Sequence, residues 1–283
     1  MEELEHSKFT PAGEIANERL IEAVLDPDRY PEGTTFIAMT PDVRVEHVMA
    51  RDGTRLEQLV APRISWELAG QTFFRVFSEP QRIRLRPSEA PVTTNRDFSK
   101  NVFGFSVETA AIAEVQFSAE HQRGGQINFN PATGNEASLA DWSTTDIDIT
   151  LRPGRRLSIG NRYLFTRLGD RPTGSTIFND HIIRSRWNWQ FTPELSVRVI
   201  FQYESLLANP GLTNLDTRKN FNTDFLFAYR LNAWTAFYAG YNNNLQNIEL
   251  VDVPGGAQIV RTPTAFINDG HQFFAKFSYL VRF

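Results

Sequence analysis

Asp146 and Asp148 stand two residues apart, so on an extended strand both carboxylates leave the same face. That spacing suits two kinds of chemistry: a shared cation held through oxygen ligands, or ion pairs with facing arginines such as Arg152 and Arg162. The second is the ordinary one. The bases favour it, since 25 of the 29 basic residues are arginine, whose planar fork matches a carboxylate. The five histidines, His6, His47, His121, His181 and His271, are scattered singly, without metal-ligand spacing. No G-x-S-x-G elbow, Walker loop or H-E-x-x-H occurs, and with no cysteine there is no disulfide, thiolate metal site or cysteine nucleophile. Neither a catalytic constellation nor a cofactor or metal is expected.

The elements that carry these charges read as strands. Composition allows a sizeable fold, with 41% hydrophobic and 12% aromatic residues, and a net charge of −4 gives no footprint for nucleic acid. Residues 12–25 show the only helical pattern, ended by Asp26-Pro27. From about Thr34 the chain is rich in Phe, Val, Ile, Thr, Trp and Tyr, punctuated by Gly, Pro, Asn and Asp. The patterns predict strands at roughly 43–51, 54–69, 71–85, 101–110, 112–122, 141–152, 156–168, 176–191, 195–206, 217–231, 233–247 and 269–283.

The last of these is the clearest. Phe273, Ala275, Phe277, Tyr279, Val281 and Phe283 share one face, and Lys276, Ser278 and Arg282 take the other. Its eleven residues match the roughly 9–11 of a tilted membrane-crossing strand. Earlier strands repeat the alternation. Trp187, Trp189, Val199, Phe201, Phe227 and Tyr229 fall on apolar faces, opposed by Arg184, Arg186, Arg198, Glu204, Asp224 and Arg230. Loop length alternates as well: 86–100, 123–140, 207–216 and 248–268 are long and 169–175 is medium, while Ala111, Pro153–Arg155, Thr192–Glu194 and Asn232 mark short turns. Transmembrane barrels sort their loops this way and soluble sandwiches have no reason to.

The expected fold is therefore all-β, an antiparallel up-and-down transmembrane β-barrel of about 12 strands, complete or partial, over 34–283, behind a connecting segment with a short helix over 1–33. The lumen would carry Asp146, Asp148, Arg152, Arg162, Arg184, Arg186, Arg198, Glu204, Asp224, Arg230, Lys276 and Arg282. Lipid would meet Trp187, Trp189, Val199, Phe201, Phe227, Tyr229, Phe277, Tyr279 and Phe283. Such a lumen braces a narrow barrel or filters solutes. The acidic start, Met1-Glu2-Glu3-Leu4-Glu5-His6, lacks the basic and then apolar run of a secretory signal, so the chain reads as the C-terminal part of something longer.

The ending Phe273 to Phe283, Ile200 to Ser205, Phe178 to His181 and Phe237 to Asn242 together resemble the C-terminal outer-membrane barrel region of a large bacterial family, domain of unknown function 5916. That region usually follows a domain similar to family 9 carbohydrate-binding modules. The likeness covers roughly residues 60–283, with Tyr229-Arg230-Leu231-Asn232 where the family often has Tyr-Arg-Pro-Gly. It implies a bacterial outer-membrane location with outer-membrane lipid as partner and the barrel-assembly machinery reading the strand that ends in Phe283, but not sugar binding, since no carbohydrate-binding-like domain precedes the barrel region here. A small solute or glycan is a further expected partner of the polar lumen. The leading expectation is a pore or membrane anchor that is not an enzyme by itself. Three alternatives stay open: a barrel-embedded hydrolase using His121 or His181, a soluble carbohydrate-binding β-sandwich, and the C-terminal part of a TonB-dependent-receptor-like transporter.

Overall fold

A computed structural model describes residues 35–88, 90–232, 234–254, 256–262 and 266–279. The expected helix over 12–25, the segment 1–33, Arg282 and Phe283 lie outside them. Among the described residues the chain is all strand and turn. The strands are β1 (Phe36–Met49), β2 (Arg55–Leu68), β3 (Thr72–Ser78), β4 (Gln81–Leu85), β5 (Arg96–Lys100), β6 (Val102–Ile112), β7 (Val115–Asn128) and β8 (Ser138–Gly154). They continue with β9 (Leu157–Asp170), β10 (Thr176–Gln190), β11 (Leu195–Ala208), β12 (Arg218–Asn232), β13 (Thr235–Gln246), β14 (Ile248–Val253), β15 (Gly256–Arg261) and β16 (Ile267–Tyr279).

Fourteen of these form one antiparallel up-and-down sheet; β14 and β15 form a separate hairpin. No helix among the described residues is long and apolar enough to cross a membrane. Twelve long runs emerge if β3 with β4, and β5 with β6, are each taken as one interrupted strand. β2 pairs with β3 through Arg63–Leu68 and with β4 through Glu57–Leu59. The interruption falls at Pro80, which has no N–H to donate, and the Pro80 carbonyl still accepts from Val60 N–H at 3.1 Å. The twelve runs correspond one for one to the expected strands.

Several boundaries differ from the expectation. The loop expected over 86–100 contains β5, that over 248–268 contains the β14–β15 hairpin, and that over 123–140 shrinks to 129–137 because β7 and β8 run on. The turns expected at Ala111 and Pro153–Arg155 fall at 113–114 and 155–156. At β7 backbone pairing carries the strand through the polar stretch Gln122 to Gln126, where alternation fades. Loop length still sorts by end: 69–71, 113–114, 155–156 and 191–194 turn at one end, and 86–95, 129–137, 171–175 and 209–217 at the other.

Register puts one apolar face across the whole sheet. The row Ala119, Ile147, Tyr163, Ile183, Tyr203, Phe221 and Leu245 is continuous through seven strands, as is Val199, Phe225, Tyr241, Phe273. Trp187, Trp189, Phe201, Phe225, Tyr229, Phe237, Tyr241, Phe273 and Phe277 are each between 39% and 72% exposed. At 150–250 Å² per aromatic side chain, these nine alone leave on the order of 900 Å² of apolar surface bare. A monomeric soluble protein rarely shows more than about 300–600 Å² in one patch. Among the described residues no second sheet covers this face, which a β-sandwich would require.

The opposite face is concave. Cavities open on it, and loops from the far end cross over it. Two of the large rings on this polar face rest on glycine. Gly240 faces Phe274 and Gly104 faces Phe77 across the ladder, and a Cβ at either glycine would stand 2.2 or 2.4 Å from the ring. Only a residue without a Cβ lets those rings lie flat.

One expectation needs correction: charges do not all take the polar face. Arg123, Asp141, Arg167 and Lys219 leave the apolar face, each within a few residues of the long-loop end. A strand of 14 residues is roughly 46 Å long and stands roughly 35 Å tall when tilted about 40°, more than an apolar band of about 25 Å. The excess places these side chains beyond the band.

The β14–β15 hairpin is tied to the sheet by Asn247, which is fully buried. Its Oδ1 accepts from Lys219 N–H at 2.7 Å, and its Nδ2 donates to the carbonyls of Thr262 at 2.6 Å and Thr217 at 3.2 Å. Asn247→Ala should loosen this junction by about 2–3 kcal/mol, since three backbone groups lose partners at roughly 1 kcal/mol each. Faster amide exchange at Lys219 and quicker protease nicking within 248–262 would register it; unchanged exchange would refute the junction.

Candidate functional site

The residues that could do chemistry gather on the concave face. Register places Asp146, Asp148, Arg152, Arg162, Arg184, Arg186, Arg198, Glu204, Asp224, Arg230 and Lys276 there, and Trp187, Trp189, Val199, Phe201, Phe227, Tyr229, Phe277 and Tyr279 on the apolar one. The alternation that the sequence shows becomes two chemically distinct surfaces.

Along the strands the concave charges are partly divided by height. In the sector from β8 to β12, Arg152, Arg186, Arg198 and Arg230 lie toward the short turns, while Asp180 and Glu204 lie toward the long loops with Arg218 at the first residue of β12. Between them Asp146 stands at mid-strand and Asp224 is level with Arg186. Asp148, Arg162 and Arg184 lie opposite one another in successive strands. Arg162 resolves that row by reaching diagonally to Asp146, Nε to Oδ1 at 2.9 Å with a second contact from its Nη2. The Arg162 side chain stays 57% exposed, so the pair contributes little to stability. The shared-cation role for Asp146 and Asp148 is thus displaced by an arginine fork. No cluster of three potential metal-binding side chains occurs among the described residues.

Two cavities follow the division. One of about 460 Å³ has both signs in its wall, with Arg75, Glu108, Glu120, Asp146, Asp148 and Arg162. The other, about 440 Å³, lies by the short turns and includes Arg152, Arg155, Arg156, Arg198, Asn188 and Gln190. No carboxylate lines it. Sequence reading missed Arg155 and Arg156 because they sit in a turn, where periodicity assigns no face.

His121 and His181 are on the apolar face, away from these cavities. His121 Nδ1 stands 2.8 Å from Thr145 Oγ1, and His181 Nδ1 2.9 Å from Tyr163 Oη. Nearby Ser185 Oγ donates to Asn161 Oδ1 at 2.7 Å and accepts from Trp187 Nε1 at 2.9 Å. Each of these polar groups is satisfied sideways by a neighbour on the same face.

The long-loop end is closed by packing. Loop 209–217 crosses above β9 and β10 to loop 129–137: Thr213 Oγ1 donates to the Asn130 carbonyl at 2.6 Å, Asn214 N–H to the same carbonyl at 3.1 Å, and Asn128 Nδ2 to the Leu212 carbonyl at 3.3 Å. Leu212 packs on Ala140, Leu168 and Ile177. A second cluster, Leu85, Val92, Phe98, Ile127 and Ala137, fixes the β4–β5 hairpin beside it. Glu136 joins the two, accepting from Thr93 N–H at 2.8 Å and from Arg96 Nη1 at 2.8 Å.

No protein-family model and no curated protein matches the chain. Among solved structures it is similar to OmpT (in-vitro folded), an outer membrane protein of Vibrio cholerae, at 12% identity and a TM-score of 0.38, over 87% of this chain and 84% of that one. It is also similar to outer-membrane expressed OmpT of Vibrio cholerae, at 10% identity and a TM-score of 0.38, over 89% and 87%.

The hydrogen bonds from Thr93, followed by the nearby Arg96 charge, hold the Glu136 carboxyl below its ordinary range. A depressed carboxylate stabilises the fold above its ordinary value and loses that contribution as pH falls through the depressed one. Protease resistance of loop 86–95 should be flat from neutral pH to about 5 and decline below it. Glu136→Gln should lower resistance at neutral pH and remove the decline; a variant with the wild-type profile would rule the clamp out.

Proposed function

We propose that this chain is a bacterial outer-membrane β-barrel, or the C-terminal part of one, serving as a pore or membrane anchor and not as a catalyst by itself. The observation that carries the reading is the apolar band continuous across the strands, bare on its outer side and backed by a polar concave face. Hydrocarbon is the environment such a face matches, because each outward ring is then removed from water while the charges keep theirs. Trp66, Trp187, Trp189, Tyr229 and Tyr279 lie toward the short-turn end, and Trp234 joins them at the turn, where an interfacial girdle belongs. Outer-membrane lipid is the partner of this face. The assembly machinery is the partner of β16, whose residues are all exposed. A small polar solute or glycan is the cargo that suits the mixed-charge concave face.

The absence of native cysteine makes the reading directly measurable. In reconstituted vesicles Gln202→Cys should react with a water-soluble thiol reagent at least about tenfold faster than Ile147→Cys, because only the first faces water. Equal reactivity would sink the assignment of hydrocarbon to the apolar face. Ile147→Arg should cost about 2–4 kcal/mol in denaturant titration, the cost of an arginine at a bilayer midplane. On a water-facing sheet the same change would stay within about 0.5 kcal/mol. The wild-type protein should also run on gels with a mobility that shifts on heating in detergent.

A further inference from the structure

We propose that the short-turn end of the concave face is a binding site for phosphate groups, built around Arg152, Arg155, Arg156 and Arg198. The placement at a membrane mouth rests on the barrel reading above; the binding itself does not.

Three observations carry it. The first is composition at the cavity: four guanidinium groups share a space of about 440 Å³ that no carboxylate lines. An arginine cannot shed its proton to relieve such crowding, so the positive charge stays and an anion must balance it. The second is that these forks are idle. Among the described residues Arg155, Arg156 and Arg198 make no ion pair and donate no side-chain hydrogen bond, whereas Arg44, Arg63, Arg84, Arg96, Arg162 and Arg171 all hold carboxylates. Arg152 is engaged only with Gln116, at 3.0 Å. Glu194, four residues before Arg198, is turned back into its own loop, accepting from Thr192 Oγ1 at 2.9 Å. The third is the neutral equipment of the same wall. Ser158, Asn188 and Ser196 add donors, and none of their side chains is engaged elsewhere among the described residues.

Paired forks, hydroxyls and an amide around a solvent-filled space are donors without an acceptor. A tetrahedral oxyanion supplies several acceptor oxygens at once and takes bidentate bonds from each arginine. Chloride offers one weakly directional contact and suits such a wall less well. The site sits at the mouth opposite the packed loops 129–137 and 209–217, so its ligand arrives from the short-turn side.

Inorganic phosphate is the direct probe. Titrated calorimetrically into the folded protein in a phosphate-free, uncharged detergent, it should bind saturably, and chloride at equal ionic strength should not displace it at equimolar concentration. Arg156→Gln with Arg198→Gln should weaken binding at least about tenfold. Arg198→Lys, which keeps the charge and loses the fork, should fall between the two, and its folding is checked independently by the heat-dependent gel shift. Absence of saturable binding to the folded wild type, or equal affinity in all three proteins, overturns the site. Adding vesicles of anionic phospholipid distinguishes the source: competition with phosphate assigns lipid headgroups, and none assigns soluble phosphates. Conductance in planar bilayers separates the two readings. Binding without conductance sinks the pore and keeps the site, while conductance without binding does the reverse.

Discussion

Hydrocarbon contains no hydrogen-bond partner, and that single lack governs how a chain can lie in it. Every backbone N–H and C=O in the apolar band must find another strand. The antiparallel ladder from β1 to β16 does this for each inner strand. Three exceptions remain at the margins. β1 pairs with β2 alone, β16 with β13 alone and the short β5 with β4 alone, so each shows one unpaired edge. Those edges must meet each other or further strands before the sheet can rest in a bilayer, since an open edge there costs several kcal/mol per group. The same rule explains the outward polar side chains. His121 with Thr145, His181 with Tyr163, and Ser185 between Asn161 and Trp187 settle their hydrogen bonds within the face.

The two ends of the strands are treated differently. At the long-loop end, apolar clusters around Leu85 and Leu168 and the crossing of loops 129–137 and 209–217 cover the concave face. At the short-turn end the connections are too brief to cover anything, and arginines line the opening. Shape and charge therefore give the concave face a direction: covered by loops at one end, open and lined by arginines at the other.

How much of this was legible in the sequence depended on range. Period-two alternation is a local signal, so the strand ending at Tyr279 and the face shared by Trp187, Trp189 and Val199 could be read directly. Loop parity was equally local. The interruption at Pro80 was visible as a residue but not as a break, because the strand resumes in the same line. The outward placement of Arg123 and Arg167 was not legible because strand height against the width of the apolar band is a three-dimensional quantity. The contact of Asn130 with Thr213 and the burial of Asn247 join segments 83 and up to 30 residues apart, and no spacing rule announces them. The arginine cavity joins two hairpins: Arg152, Arg155 and Arg156 come from β8–β9 and Arg198 from β10–β11, residues of no special note until register brings them together.

The bridge from Thr213 to Asn130 also imposes an order of events. Contacts of such sequence separation carry a closure entropy that only the prior assembly of the intervening strands can reduce. β8 through β11 must therefore already stand side by side when loop 209–217 settles, which makes that settling a late step of biogenesis. Until then the far vestibule stays uncovered, and a nascent chain is distinguishable from a matured one by that vestibule alone.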